Sequence, residues 1–217
     1  MCKSIRRIIM AVFTPSYPLT FPTNVGVQTQ RFSLVRTVAV SSSPFTGQDQ
    51  VIQHEGEFWT TQIKFPPMLK ENAAPIIAFL LQLRGRRGTF SLGDQDRKTI
   101  QGTATGTVRV NGASQTGNQV ALDGFTASRS NVFKAGDYIQ INSYLYMVTE
   151  DVSANGSGEA NVRIEPALRQ GIETIADDAT VVYSNTKTLF RLDTNETGWD
   201  TDQVSKYGIS LSATEAL

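Results

Sequence analysis

One cysteine and one histidine in 217 residues remove several kinds of protein at once. A single thiol, Cys2, cannot close an internal disulfide, so a cross-linked secreted framework is excluded and the composition fits folding in a reducing compartment. One Cys and one His cannot make a conventional zinc site either. Excess charge is also missing: 20 Lys+Arg balance 20 Asp+Glu, leaving no general field to hold nucleic acid or an anionic membrane. No apolar run approaches the ~20 residues that cross a bilayer. The start, MCKSIRRIIMAVF, has the basic-then-apolar order of a secretory leader, but residues 8–13 are too short a run and no small-residue cleavage site follows. Met10 offers a second natural beginning, with residues 1–9 as an extension or an arm.

What is present is β-rich. Phe32, Leu34, Arg36, Val38 and Val40 share one phase of an alternation, and Ser33, Val35, Thr37 and Ala39 share the other, which predicts a strand with mixed faces. Trp59, Thr61, Ile63 and Phe65 alternate with Phe58, Thr60, Gln62 and Lys64 in a half-buried strand that Pro66 and Pro67 end. Residues 65–88, FPPMLKENAAPIIAFLLQLRGRRG, then read as a helix. Pro75 suits its first turn, Asn72 is a candidate cap, and Gly85 suits the left-handed residue that closes it. Ile76, Ile77, Phe79, Leu80, Leu81 and Leu83 leave the segment apolar on almost every side, so cover is expected from several directions, by its own chain or by a neighbouring subunit. Arg84, Arg86 and Arg87 follow. Their charge complements the helix dipole by about 0.3–1 kcal/mol, and three guanidiniums also suit carboxylates on another subunit or nucleic-acid phosphate.

Beyond residue 98 the composition shifts to Gly, Thr, Ser and Asn. Pairs at spacing two (Val108 and Val110, Ile139 and Ile141, Tyr144 and Tyr146, Val162 and Ile164) stand between the turn signals Asn111-Gly112, Asp123-Gly124, Gly136-Asp137, Asn142-Ser143 and Asn155-Gly156. Five or six short strands at this spacing predict a small, closed or nearly closed barrel within residues 99–185. A last strand places Tyr207, Ile209, Leu211 and Ala213 on one face. The fold class is all-β with one short helix.

Chemistry is sparse. His54 stands between polar neighbours without a nucleophile motif. Glu55 and Glu57 lie two apart on a strand, as a glycosidase pair might, but strand acids at that spacing are usually solvated. Asp193, Asn195, Thr197 and Gly198 match the first half of a calcium loop, and Val204 stands where the bidentate glutamate belongs. Trp59 and Trp199 could stack on sugars, although packing accounts for both. No catalytic residue, metal ligand or cofactor is assigned.

The stretch EGEFWTTQIKFPPMLKENAAPIIAFLLQLRGRRGTFSLGD resembles the distal tail proteins of long-tailed siphophages, with a Trp-bearing strand, a proline-ended turn, a short buried helix and a glycine-ended return to β structure. FKAGDYIQINSYLYMVTEDVSANGSGEANVRIEPALR is similar to a β module of phage structural proteins, and FRLDTNETGWDTDQVSKYGISLSATEAL to the closing strand of the same family. The resemblance implies a tail-tube-like β-sandwich made from residues 1–98 and 186–217, with an OB-like barrel, 99–185, inserted between. It implies a structural virion protein of the tail, assembled in the host cytoplasm. Copies would form a ring, usually a hexamer, that joins the tail tube protein to the baseplate hub protein. In that setting Phe79, Leu83, Arg84, Arg86 and Arg87 are the candidate subunit interface. Alternatives are a binding module whose barrel takes oligosaccharide or single-stranded nucleic acid through Tyr144 and Tyr146, a tail-associated cell-wall hydrolase, or another tail part such as the tube or terminator protein. Neither membrane attachment nor specific nucleic-acid binding is expected.

Overall fold

The computed structural model describes residues 15–169 and 174–217, apart from the side chain of Glu55. Cys2, Met10 and the proposed 1–9 extension lie outside the described residues. The chain opens with β1 (Leu19–Thr20), a long hairpin of β2 (Thr29–Ser42) and β3 (Asp49–Lys64), helix α1 (Lys70–Leu83) and β4 (Thr89–Leu92). Six strands follow: β5 (Val108–Val110), β6 (Gly117–Asp123), β7 (Tyr138–Ile141), β8 (Tyr144–Val148), β9 (Ala160–Leu168) and β10 (Thr180–Val182). The chain then returns through β11 (Thr188–Leu192), the small pair β12 (Asp200–Thr201) and β13 (Tyr207–Gly208), and β14 (Ser210–Glu215).

Strands β5 to β10 close a barrel in the order β10-β5-β6-β9-β8-β7, antiparallel at every seam. Val108, Val110, Val120, Leu122, Ile139, Tyr146, Val148, Val162 and Ile164 fill it. The protein is therefore all-β around one α-helix, with a small closed barrel between the two halves of a sheet. The barrel has six strands where an OB fold has five. The sheet itself has six strands, β1-β4-β11-β14-β3-β2, and curls so that Phe32 of β2 meets Phe190 of β11 at 5.8 Å and Gln30 Nε2 of β2 donates to the Gly93 carbonyl just after β4 at 3.3 Å. The rest of its apolar face meets α1 and the barrel.

The two connections to the barrel run side by side. A Cβ on Gly93 would sit 1.9 Å from the Thr186 carbonyl oxygen, so only glycine permits that approach. The Asn185 N–H donates to the Lys98 carbonyl at 2.7 Å.

Directly opposed residues share a face of a sheet. Register therefore puts Gln30, Phe32 and Leu34 on the face of Ile63, Thr61 and Trp59, continued by Leu211 and Ala213. Phe90, Phe190, Leu92 and Thr188 line up across β4 and β11. One end of this face is covered by α1, through Ala73, Ile76, Phe79, Leu80 and Leu83. The other end meets the barrel's outer surface, where Tyr138 and Leu145 join the sheet's core cluster.

The helix corrects the sequence reading in three ways. It starts at Lys70, with Leu69 in extended conformation at its cap, and Asn72 lies inside it. Pro75 falls past the first turn and leaves the Glu71 carbonyl without its usual donor, at a place where both residues are exposed. Most important, α1 is amphipathic. Ala74, Pro75, Ala78 and Gln82 are exposed, Ile77 is half-buried, and Leu81 is 54% exposed. A window restricted to the aliphatic run missed the polar first turn and the alanines of the outer face. Phe79 and Leu83, expected at a subunit interface, are 7% and 0% exposed in the core of their own chain. Arg84 (φ 54°) and Gly85 (φ 64°) are both left-handed, and a Cβ on Gly85 would meet Asn195 Cα at 2.8 Å.

Leu83→Ala is expected to cost about 2–5 kcal/mol in urea unfolding, as a buried leucine truncation does. Leu81→Ala, on the exposed face, is expected to stay within about 1 kcal/mol of wild type.

Candidate functional site

The hairpin β2–β3 outruns the sheet. Strand β14 pairs with β3 only from Thr60 to Lys64, while β2 and β3 stay paired out to Ser42 and Asp49. The distal part is a two-stranded ribbon in which every residue from 35 to 54 is exposed except Ser43, with Glu55 beyond it undescribed. Its apolar side chains are open to water: Val38 46%, Val40 59%, Val51 62%, Ile52 49%, and Phe45 at the tip 95%. Val40 opposes Val51 and Val38 opposes Gln53, so this apolar stripe continues, past Arg36, the face that carries Phe32, Leu34 and Trp59. From 37 to 54 the sole formally charged residue is Asp49. Natural edge strands are normally guarded by charge or proline. Beyond Arg36, β2 carries neither, and no strand among the described residues pairs with its outer edge.

The ribbon leaves the sheet at a marked point. Val35 pairs with Phe58 and Thr37 with His54, so residues 55–57 of β3 oppose Arg36 alone. Such a bulge bends the pair and re-aims the side chain beside it. Arg36 Nε lies 3.3 Å from Glu57 Oε1, and its Nη2 lies 3.0 Å from Glu165 Oε2 on β9. Glu57 also accepts from Gln53 Nε2 at 2.9 Å, and Glu165 from Asn118 Nδ2 at 3.0 Å. One guanidinium thus ties the root of the ribbon to the wall of the barrel.

Behind it is a buried polar junction. Glu215, on β14, accepts from the Trp59 N–H at 3.0 Å, from Arg169 Nη2 at 2.6 Å and from the Thr188 hydroxyl at 3.0 Å. Arg169, just after β9, also donates to the Glu57 carbonyl. The Trp59 indole N–H donates to the Leu145 carbonyl at 2.8 Å. Burial pushes the Glu215 carboxyl above the usual range, against the opposing pull of Arg169, the Trp59 N–H and Thr188. Burial likewise pushes the Tyr146 phenol up to about 12, with Arg169 acting the other way. Tyr138 is also raised to about 12, by burial first and then by Asp94, against Arg97.

A cleft of about 480 Å³ opens at the end of the sheet opposite the ribbon. Ile63, Leu80, Leu192 and Leu211 line it, with Arg31, Lys64 and Glu196 among its polar residues. A second cleft, about 490 Å³, lies at the ribbon's root and is lined by His54, Glu57, Asn118 and Arg169.

The residues singled out from sequence are dispersed. Arg84, Arg86 and Arg87 are exposed after α1, and the Arg86 N–H donates to Asn195 Oδ1 at 3.1 Å. Tyr146, expected on the barrel's surface, is 1% exposed inside it, and Tyr144 is half-buried. A tyrosine platform for a ligand therefore does not form. His54 is exposed on the ribbon, whereas Glu57 is 3% exposed and committed to Arg36 and Gln53. Asp193 accepts from the Thr214 hydroxyl at 2.5 Å, and among the described residues no three His, Cys, Asp or Glu side chains gather as a metal site. Among the described residues, no helix is long and apolar enough to cross a membrane. The ribbon's exposure went unread in the sequence, although its run of uncharged residues was the available signal. No protein-family model matches the chain, and no curated protein matches it in sequence.

Removing one partner of the buried pair, by Glu215→Ala or Arg169→Ala, is expected to cost about 3–5 kcal/mol, and the double replacement by Leu and Met to recover much of it. Equilibrium unfolding of the singles and the double checks this. The phenols define an alkaline window. Both raised groups favour the neutral form in the folded chain, so their stabilisation is complete below pH 10 and is lost as pH rises through about 12. Ultraviolet titration of Tyr146→Phe and Tyr138→Phe should each lose one phenolate from the latest-ionising fraction.

Proposed function

We propose that this chain is a structural protein of a bacteriophage tail, of the distal-tail kind, whose copies assemble into a ring between the tail tube and the baseplate hub. The observation that supports self-assembly is the uncovered ribbon. A lone two-stranded hairpin is at best marginally stable in water, and one with bare valines and an unguarded edge invites pairing with another chain. A repeating assembly gives such a surface a defined cover and thereby protects it from indiscriminate aggregation. The phage setting comes from the resemblance of residues 55–94 and of the two later stretches, and it carries the expectation of a hexamer.

This reading moves the contact away from Phe79 and Leu83, which the core already uses, and onto the ribbon. The arginines after α1 remain exposed and can contribute at its rim.

Light scattering and negative-stain electron microscopy of the purified chain test the reading, with a closed oligomer as the expected result. A strictly monomeric species at every concentration would sink it. Val40→Asp should weaken assembly by about tenfold or more while changing fold stability by no more than about 0.5 kcal/mol, as an exposed substitution does. Antibody labelling of virions should mark the distal tip of the tail.

A further inference from the structure

We propose that the tip of the β2–β3 ribbon seats Phe45 in the cleft at the far end of the same hairpin on the next copy of the chain. This rests on the self-assembling reading above and specifies its contact. Phe45 is 95% exposed, yet the turn that carries it is ordered by hydrogen bonds. The Ser43 N–H donates to the Gln48 carbonyl at 2.9 Å and the Gly47 N–H to the Ser43 carbonyl at 2.9 Å. An aromatic ring held out on a fixed turn is a knob in search of a hole. Aromatic anchors in desolvated pockets are where interface energy concentrates.

The cleft suits that ring in size and lining. A cavity of about 150 Å³ is enough to hold benzene, and this one offers about 480 Å³. Ile63, Leu80, Leu192 and Leu211 form its floor, each packed in the core cluster beneath. Around them stand Arg31 and Lys64 against the single carboxylate of Glu196. The ribbon brings one formal charge of its own, and it is negative: Asp49, where β3 begins beside the tip. The two surfaces are complementary in both polarity and sign.

Topology excludes the intramolecular version. The cleft gathers where β2 starts and β3 ends, at Thr29, Gln30 and Lys64, whereas Phe45 lies beyond the other end of both strands. The 14 residues of β2 separate them, about 40 Å at roughly 3.3 Å per residue. A chain therefore cannot fill its own cleft, and a second copy can. Because each copy in the proposed ring gives its knob to one neighbour and its cleft to the other, the contact is heterologous. It repeats head to tail and makes a ring when the rotation closes.

The test replaces Phe45 with a photo-crosslinking benzoyl-phenylalanine in the full chain and maps the cross-links by mass spectrometry. It is paired with sedimentation of Phe45→Ala, Asp49→Lys, and Asp49→Lys combined with Lys64→Asp. Expected are cross-links between copies to residues 29–31, 62–64, 192–198 or 210–212. Association should be about tenfold weaker for each single variant and recover in the reversed pair. An assembly that cross-links elsewhere, fails to cross-link, withstands Phe45→Ala or shows no recovery overturns this contact and leaves the ring reading standing. A chain that never associates removes both.

Discussion

A sheet with one apolar face must have that face covered from end to end, and here the cover comes in pieces. Helix α1 takes the end that holds Phe90, which its Phe79 meets edge-on at 5.5 Å. The barrel takes the next stretch, and Phe32, Trp59 and Tyr138 pack there in tilted and edge-to-face pairs at centroid distances of 5.0 to 6.1 Å. Beyond Arg36 the stripe goes on as Val38, Val40 and Val51, with neither helix nor barrel over it. Strand pairing propagates the pattern further than the chain's own second layer reaches. Helix and barrel thus cover the sheet's apolar face as far as Arg36, and beyond it the stripe is open to water.

Where the barrel meets the sheet, burial forces a different solution. Glu57, Glu215 and Arg169 are each less than a tenth exposed, and an unpaired charge at such a place would cost several kcal/mol. Hydrogen bonds from the Trp59 backbone and the Thr188 hydroxyl, together with the Arg169 guanidinium, satisfy Glu215. Well-packed apolar groups would serve stability equally well, so the pair is better understood through its geometry. Its hydrogen bonds join β3, β11, β14 and the end of β9, and the Trp59 indole and the Thr188 hydroxyl add bonds from the sheet to the Leu145 and Ser143 carbonyls of the barrel.

Local chemistry in the sequence announced much of this architecture. The barrel strands were legible because their turns need special backbone angles and carry residues that tolerate them. Gly112 and Gly136 adopt φ of 101° and 91°, and Asn142 adopts 53°. The β3 alternation was legible because Pro66 and Pro67 end it. Facing was harder to read. In β8, Tyr146 and Val148 point into the barrel while Leu145 packs on the sheet's core, so both phases are buried and alternation says nothing about which tyrosine meets solvent. The junction was out of reach altogether. Trp59 and Glu215 are 156 residues apart, and no spacing rule connects them.

The bulge at Arg36 links these layers. An arm that engages another molecule loses conformational freedom on binding, and holding it beforehand reduces that loss. A plain two-stranded ribbon would twist and swing about its root. Here three residues facing one bend the root, and Arg36 bridges Glu57 on the ribbon's own strand to Glu165 on the barrel. The Thr37 hydroxyl adds a bond to the Gly56 carbonyl at 3.1 Å. Arg36 is the cation beside the buried Glu57, whose carboxylate its loss would leave without an ion-pair partner, and it also acts on geometry. Its effect is on direction: it sets the ribbon against the barrel, and through the junction the barrel is set against the sheet, so the tip at Phe45 and the cleft beside Lys64 keep a fixed relation within each copy. In the proposed ring, a fixed relation between the two patches would set one rotation per step, and the assembly closes when that rotation returns to its start.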